Sequence, residues 1–189
     1  GGNLILLLIM AAMVCIVLGM GLPTVGVYIL LATLVAPAIV ELGVPVLAAH
    51  MFVLYFGMMS LITPPVAVAA FFAASIADAP AMATAWTCMR FGWTAYVVPF
   101  LFVFSPSLLL QGNDVLELVV DVATAIGGVW LVSAAMIGYL ISLLSWPMRA
   151  LFMLAGILLL IPQQLTEGAG WTDLAGAVLA ALLIAIDYN

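Results

Sequence analysis

Two clusters of helix-breaking residues interrupt runs of sequence apolar enough to lie in a bilayer: Gly19-Met20-Gly21-Leu22-Pro23-Thr24 and Ser60-Leu61-Ile62-Thr63-Pro64-Pro65. Lipid holds no water to satisfy a free backbone N–H or carbonyl, so main chain broken at that depth must face protein or a polar cavity. Two breaks in successive segments point to a substrate and ion site near the membrane midplane. A second reading stays open: proline in a membrane helix often only kinks it, and neighbouring Ser or Thr hydroxyls repair the lost bonds. For the isolated Pro37 and Pro99 the kink is the simpler account, whereas two multi-residue breaks in a row favour a site.

The membrane premise rests on charge. Of 189 residues, 69% are hydrophobic and 5% are charged, against about 25% charged in a soluble globular protein. No polar shell can be made from so few groups. Two cations against eight acids, a net charge of −6, exclude a basic nucleic-acid surface and a polybasic lipid anchor. Cys15 and Cys88 form no Cys-x-x-Cys pair and read as small buried hydrophobes. The chain carries no Gly-x-Ser-x-Gly, His-Glu-x-x-His or Walker loop, and its single histidine, His50, has no carboxylate close in sequence. Neither an enzyme nor a cofactor protein is expected. The opening Gly1-Gly2-Asn3 runs at once into apolar sequence without a basic leader, so the chain reads as a piece of a longer membrane protein.

A spanning helix needs about 20 mainly apolar residues. By that ruler the segments are 4–18, 25–42, 46–61 and 66–77, then a mixed interfacial stretch at 81–90 and a span at 91–110 kinked at Pro99 and ending at Gln111-Gly112-Asn113-Asp114. Helix is expected throughout 115–145, with Glu117, Asp121 and Thr124 on an early polar face and the span proper at about 122–145. Residues 149–161 end at Pro162-Gln163-Gln164, and 172–186 form the last span, with Asp173 as a helix-start residue. A single helix over 4–42 would reach about 60 Å, twice the hydrocarbon core of about 30 Å. A re-entrant hairpin, entering and leaving on one side, fits better. Placing Arg90 on the cytoplasmic side puts Arg149 there as well, as the positive-inside rule asks.

At the second break, Pro64 and Pro65 leave the Ser60 and Leu61 carbonyls without helical partners. Ser60 and Thr63 add hydroxyls on nearly the same face. Neutral oxygens gathered in a low-dielectric setting suit a hard cation such as sodium. At the first break, Pro23 frees the Gly19 carbonyl, and Gly19 and Gly21 allow positive φ and close backbone approach. Thr24 begins a helix, so the N–H groups of Val25 and Gly26 point into the gap, where a helix N-terminus favours an anion. Tyr28 lies one turn further on, facing a cavity or simply packed.

The order Gly19-Met20-Gly21-Leu22-Pro23-Thr24, Val27-Tyr28-Ile29-Leu30-Leu31-Ala32, Ala36-Pro37-Ala38, Leu42-Gly43-Val44, His50-Met51-Phe52-Val53, Tyr55-Phe56-Gly57 and Ile62-Thr63-Pro64-Pro65-Val66-Ala67 resembles the large membrane subunit of a tripartite ATP-independent periplasmic (TRAP) transporter. It is most similar to the fused permease that works with TAXI-type solute-binding proteins. The resemblance covers roughly 10–112 and is weaker over 115–189. It implies an all-α elevator-type secondary transporter of the bacterial inner membrane, driven by an ion gradient and fed by a periplasmic binding protein. Residues 1–112 would be the second half of the transport domain, with a re-entrant hairpin at 4–42, a discontinuous helix at 46–77 and a span at 91–110. Residues 113–189 would be extra C-terminal helices, and an N-terminal half would supply the other hairpin. Sodium, the coupling ion, would sit near Gly19, Gly21, Thr24, Ser60 and Thr63. The carboxylate of an organic acid, a C4-dicarboxylate or a glutamate-like molecule, would sit near Leu22, Pro23, Thr24, Val25, Pro64 and Pro65.

Overall fold

The computed structural model describes residues 4–111, 115–161 and 169–188. The chain is an all-α membrane protein: among the described residues there is no strand, only an isolated bridge between Tyr139 and Leu143. The described residues form, in order, α1 (Leu4–Gly19), α2 (Thr24–Leu34), α3 (Ala36–Glu41), α4 (Val46–Met59), α5 (Val68–Ile76), α6 (Ala81–Phe91), α7 (Thr94–Phe104), α8 (Val115–Ile137), α9 (Trp146–Leu160) and α10 (Ala169–Tyr188). A 3-10 turn at Pro106–Leu109 lies between α7 and α8. The chain divides into two compact units, Gly1–Val103 and Phe104–Asn189.

In the first unit, α1, α2 and α3 all pack on α4. Leu8, Cys15, Val27, Leu31, Phe52 and Val53 are buried between them. Phe52, Phe56 and Phe100 form an aromatic cluster with ring centroids 4.7–5.6 Å apart, within the range of favourable edge-to-face pairs. Large apolar side chains such as Val17, Ile29 and Phe72 point outward, as expected of helices whose outer solvent is hydrocarbon.

The second unit is a packed trio, α8 on α9 and α9 on α10, around Leu131, Phe152, Ala155, Leu159 and Leu183. Small residues let α8 and α9 touch closely: a Cβ on Gly156 would lie 2.8 Å from the Gly128 carbonyl oxygen.

Several expected boundaries move. Helix does not run through 115–145. It stops at Ile137 because Gly138 turns into the left-handed region (φ 82°) and Arg149 covers the freed carbonyls, with Nε 2.8 Å from Ala135 O and a terminal nitrogen 3.0 Å from Met136 O. The stretch 25–42 is two helices rather than one, since Pro37 occupies the first turn of α3, where no N–H is required, and so forces the break at Val35. The expected span 91–110 shifts toward the N-terminus. Pro80 starts helix at Ala81, only a short turn at Gly92-Trp93 separates α6 from α7, and Pro106 stops α7 after Phe104. Ala81–Phe104 and Val115–Ile137 are both long and apolar enough, by length and composition, to cross a membrane. Asp173 does not start the last helix, which is already under way at Ala169. The expected stops at Gly112-Asn113-Asp114 and Pro162-Gln163-Gln164 lie outside the described residues.

Candidate functional site

Both breaks are real interruptions of the backbone. α1 ends at Gly19, and residues 20–23 form a turn in which Gly21 takes φ 82°. A side chain at Gly21 would be strained by that conformation alone. Pro23, extended at φ −62° and ψ 146°, leads into α2. The first helical bond there is from Val27 N–H to Pro23 O at 2.9 Å. The N–H groups of Thr24, Val25 and Gly26 therefore lie ahead of the hydrogen-bonded ladder, as every helix start leaves them. The Gly19 carbonyl is not wholly free, because Leu22 N–H approaches it at 3.4 Å.

α4 ends at Met59, and residues 60–67 run as turns until α5 begins at Val68. The Pro64–Pro65 peptide is cis. Of the two carbonyls expected to lose their partners, only one does. Ala69 N–H reaches back to the Leu61 carbonyl at 2.9 Å, whereas no backbone N–H among the described residues reaches the Ser60 carbonyl. That return is made possible by Ala67, fully buried and held in the left-handed region at φ 35° and ψ 46°. Such a conformation costs a non-glycine residue about 1–2 kcal/mol and persists only where the surroundings impose it.

The two breaks meet at Gly19. A Cβ there would lie 2.7 Å from the Gly57 carbonyl oxygen and 2.9 Å from Ser60 Oγ. Only glycine permits α1 to rest on the last turn of α4. Gly57 does the same for α2, since a Cβ on it would lie 2.6 Å from Val27 Cγ1. The end of α1, the start of α2 and the end of α4 thus converge on one spot.

Ser60 is 1% exposed, and its hydroxyl donates to the Gly57 carbonyl at 2.6 Å. Thr63, half-buried, donates to the Met59 carbonyl at 2.6 Å. Both hydroxyls bond back onto α4, the pattern that Ser and Thr adopt in membrane helices. Gly19 and Ser60 are therefore brought into contact, and Thr63 lies beside them in the same turn sequence. Gly21, Leu22, Pro23, Thr24 and Val25 are instead exposed on the α1–α2 turn, as is Pro65 on the second break, while Pro64 is half-buried. No hydrogen bond among the described residues links Thr24 to Ser60 or Thr63.

Tyr96 on α7 escaped the sequence reading. Its phenol oxygen is 2.7 Å from Thr63 Oγ1. The available signal was a hydroxyl in an otherwise apolar segment, which must find a partner when buried. The turn between α6 and α7 also abuts the second break, since a Cβ on Gly92 would lie 2.9 Å from Ile62 Cδ1. Tyr28 and His50 pair with each other, phenol oxygen to Nδ1 at 3.0 Å, tying α2 to α4 rather than opening into a gap. Among the described residues no group of three or more His, Cys, Asp or Glu side chains could hold a metal ion.

The profile of the family described as tripartite ATP-independent periplasmic transporter, DctM component, matches residues 1–115, the stretch that contains both breaks and α7. No curated protein and no solved structure matches the chain significantly.

Proposed function

The chain belongs to the DctM component family of tripartite ATP-independent periplasmic transporters, and from that premise we propose that it moves an organic acid across the bacterial inner membrane together with sodium. Membership makes it the membrane permease of a secondary transporter. The finer reading is that residues 4–42 enter the membrane as a re-entrant hairpin and work by an elevator motion. The chain would be the C-terminal part of a permease whose N-terminal half supplies a matching hairpin. Substrate, a C4-dicarboxylate or glutamate-like acid, would arrive from a TAXI-type periplasmic binding protein.

One observation carries this reading: the contact of Gly19 with Gly57 and Ser60, which sets the two backbone interruptions against each other. Unwound carbonyls and half-helix ends are what such transporters use to hold a coupling ion beside an acid. On this reading Gly19, Gly21, Thr24, Ser60 and Thr63 hold sodium through carbonyl and hydroxyl oxygens. Leu22, Pro23, Thr24 and Val25, with Pro64 and Pro65, receive the substrate carboxylate, for which the unbonded N–H groups opening α2 are suited donors.

The test is uptake of radiolabelled succinate or glutamate by the intact permease in proteoliposomes with its binding protein. Uptake should require an inward sodium gradient. Thr63→Ala and Thr24→Ala should each raise the sodium concentration for half-maximal uptake by about tenfold, the loss of one hydrogen-bonding ligand to a charge. Unaltered sodium dependence in both variants would remove the site from the breaks. If Pro64 and Pro65 can both become alanine with only stability affected, the breaks are packing kinks.

A further inference from the structure

The hydrogens around Thr63 can be assigned by elimination. Thr63 Oγ1 lies 2.6 Å from the Met59 carbonyl oxygen and 2.7 Å from the Tyr96 phenol oxygen. A carbonyl cannot donate, so the single Thr63 hydrogen lies on the bond to Met59. The hydrogen between Thr63 and Tyr96 must then belong to Tyr96. Its O–H points at Thr63, and the lone pairs of the phenol oxygen face away from that bond. Ser60 repeats the arrangement, with its own hydrogen directed to the Gly57 carbonyl. Pro64, in turn, lacks the N–H that would have covered the Ser60 carbonyl. The hydroxyls of the second break and of Tyr96 consequently offer lone pairs and no hydrogens. Such a set repels an anion and suits a small hard cation, which takes neutral oxygen ligands. Gly92, just ahead of α7, packs against Ile62, a contact between these segments separate from the hydroxyl bond.

We infer that Tyr96 contributes its phenol oxygen, with Thr63 Oγ1, as a ligand of the coupling cation, so that the ion site draws on α7 as well as on the two breaks. The inference rests on the sodium reading above and adds to it a ligand from a third element.

The experiment is binding of radioactive sodium to the purified intact permease, without any organic substrate. Tyr96→Phe keeps the ring and its packing, and should raise the half-saturating sodium concentration about fivefold or more. Thr63→Ser, which retains the hydroxyl, should stay close to wild type, and Thr63→Ala should be impaired. Difluorotyrosine in place of Tyr96 keeps the hydroxyl but withdraws electron density from it. It should fall between Tyr and Phe, and it serves as the test if the Phe variant does not fold. Wild-type sodium binding by Tyr96→Phe beside an impaired Thr63→Ala overturns the role of Tyr96 alone. Wild-type binding in both overturns the sodium site itself. A raised KM for succinate at unchanged sodium binding makes Tyr96 a donor to the substrate and also overturns the inference.

Discussion

The two units use the same device to opposite ends. In the first, Gly19 brings α1 onto the last turn of α4, and at that contact both helices end. In the second, Gly128 and Gly156 bring α8 onto α9, and there both helices run on unbroken. Close approach by glycine satisfies packing in either case. Only where the ladder is broken does it also leave main-chain groups, such as the Ser60 carbonyl, without a backbone partner among the described residues. Close glycine contacts alone therefore do not distinguish the two units; what differs is whether the helices end at the contact.

Matched substitutions test this contrast. Gly19→Ala forces a methyl against the Gly57 carbonyl and Ser60 Oγ. An overpacking cost of about 1–3 kcal/mol placed at the site should lower transport about tenfold or more, read as uptake per folded transporter. Gly156→Ala meets the Gly128 carbonyl and Val132 at similar distances. It should cost a comparable 1–3 kcal/mol or so of stability, visible as a lower melting temperature, while the sodium dependence of uptake stays put. If the two variants behave alike, the distinction between broken and unbroken contacts fails.

Smaller effects are expected in the second unit. Arg149→Ala removes the guanidinium from the Ala135 and Met136 carbonyls and from the face of Trp146, 5.6 Å away. A loss of about 2 kcal/mol in stability is expected, again without a change in ion dependence. The smallest effect belongs to Asp187. Its carboxylate accepts from Ser142 Oγ and from the Ile141 and Ser142 N–H groups, which hold it below its ordinary value of 3.8. A depressed carboxyl stabilises the fold at pH above its unfolded value and loses that contribution as pH falls through its folded one. Asp187→Asn should melt slightly lower than wild type at neutral pH, and the gap should close as the pH falls below 3.8.

Sequence alone located the interruptions, because Gly and Pro act locally on φ and on the hydrogen-bond ladder. It could not show that they touch, since the need for glycine at position 19 comes from Gly57 and Ser60, far along the chain. Nor could it show that the Leu61 carbonyl is recovered by Ala69. That bond goes with left-handed Ala67, a conformation alanine rarely takes, at a fully buried position. The end of α8 was hidden for a related reason. Gly138 lies in apolar sequence that helical periodicity alone would continue, and the Arg149 that covers the exposed carbonyls follows after an intervening turn. The role of Tyr96 was not legible because its partner, Thr63, lies 33 residues earlier in the chain.

One polar contact in the second unit has a consequence for how the sequence can drift. Asp121, on α8, accepts a hydrogen bond from Ser107 in the 3-10 turn, and both side chains are buried. Without the serine, the acid would lose a donor where water is scarce; without the acid, the serine would lose its acceptor. Loss of one partner strands the other at full desolvation cost, whereas replacing both by apolar groups can be nearly neutral. The two positions should therefore drift in tandem among relatives, with paired exchanges outnumbering single ones, and a double alanine variant should be milder than either single.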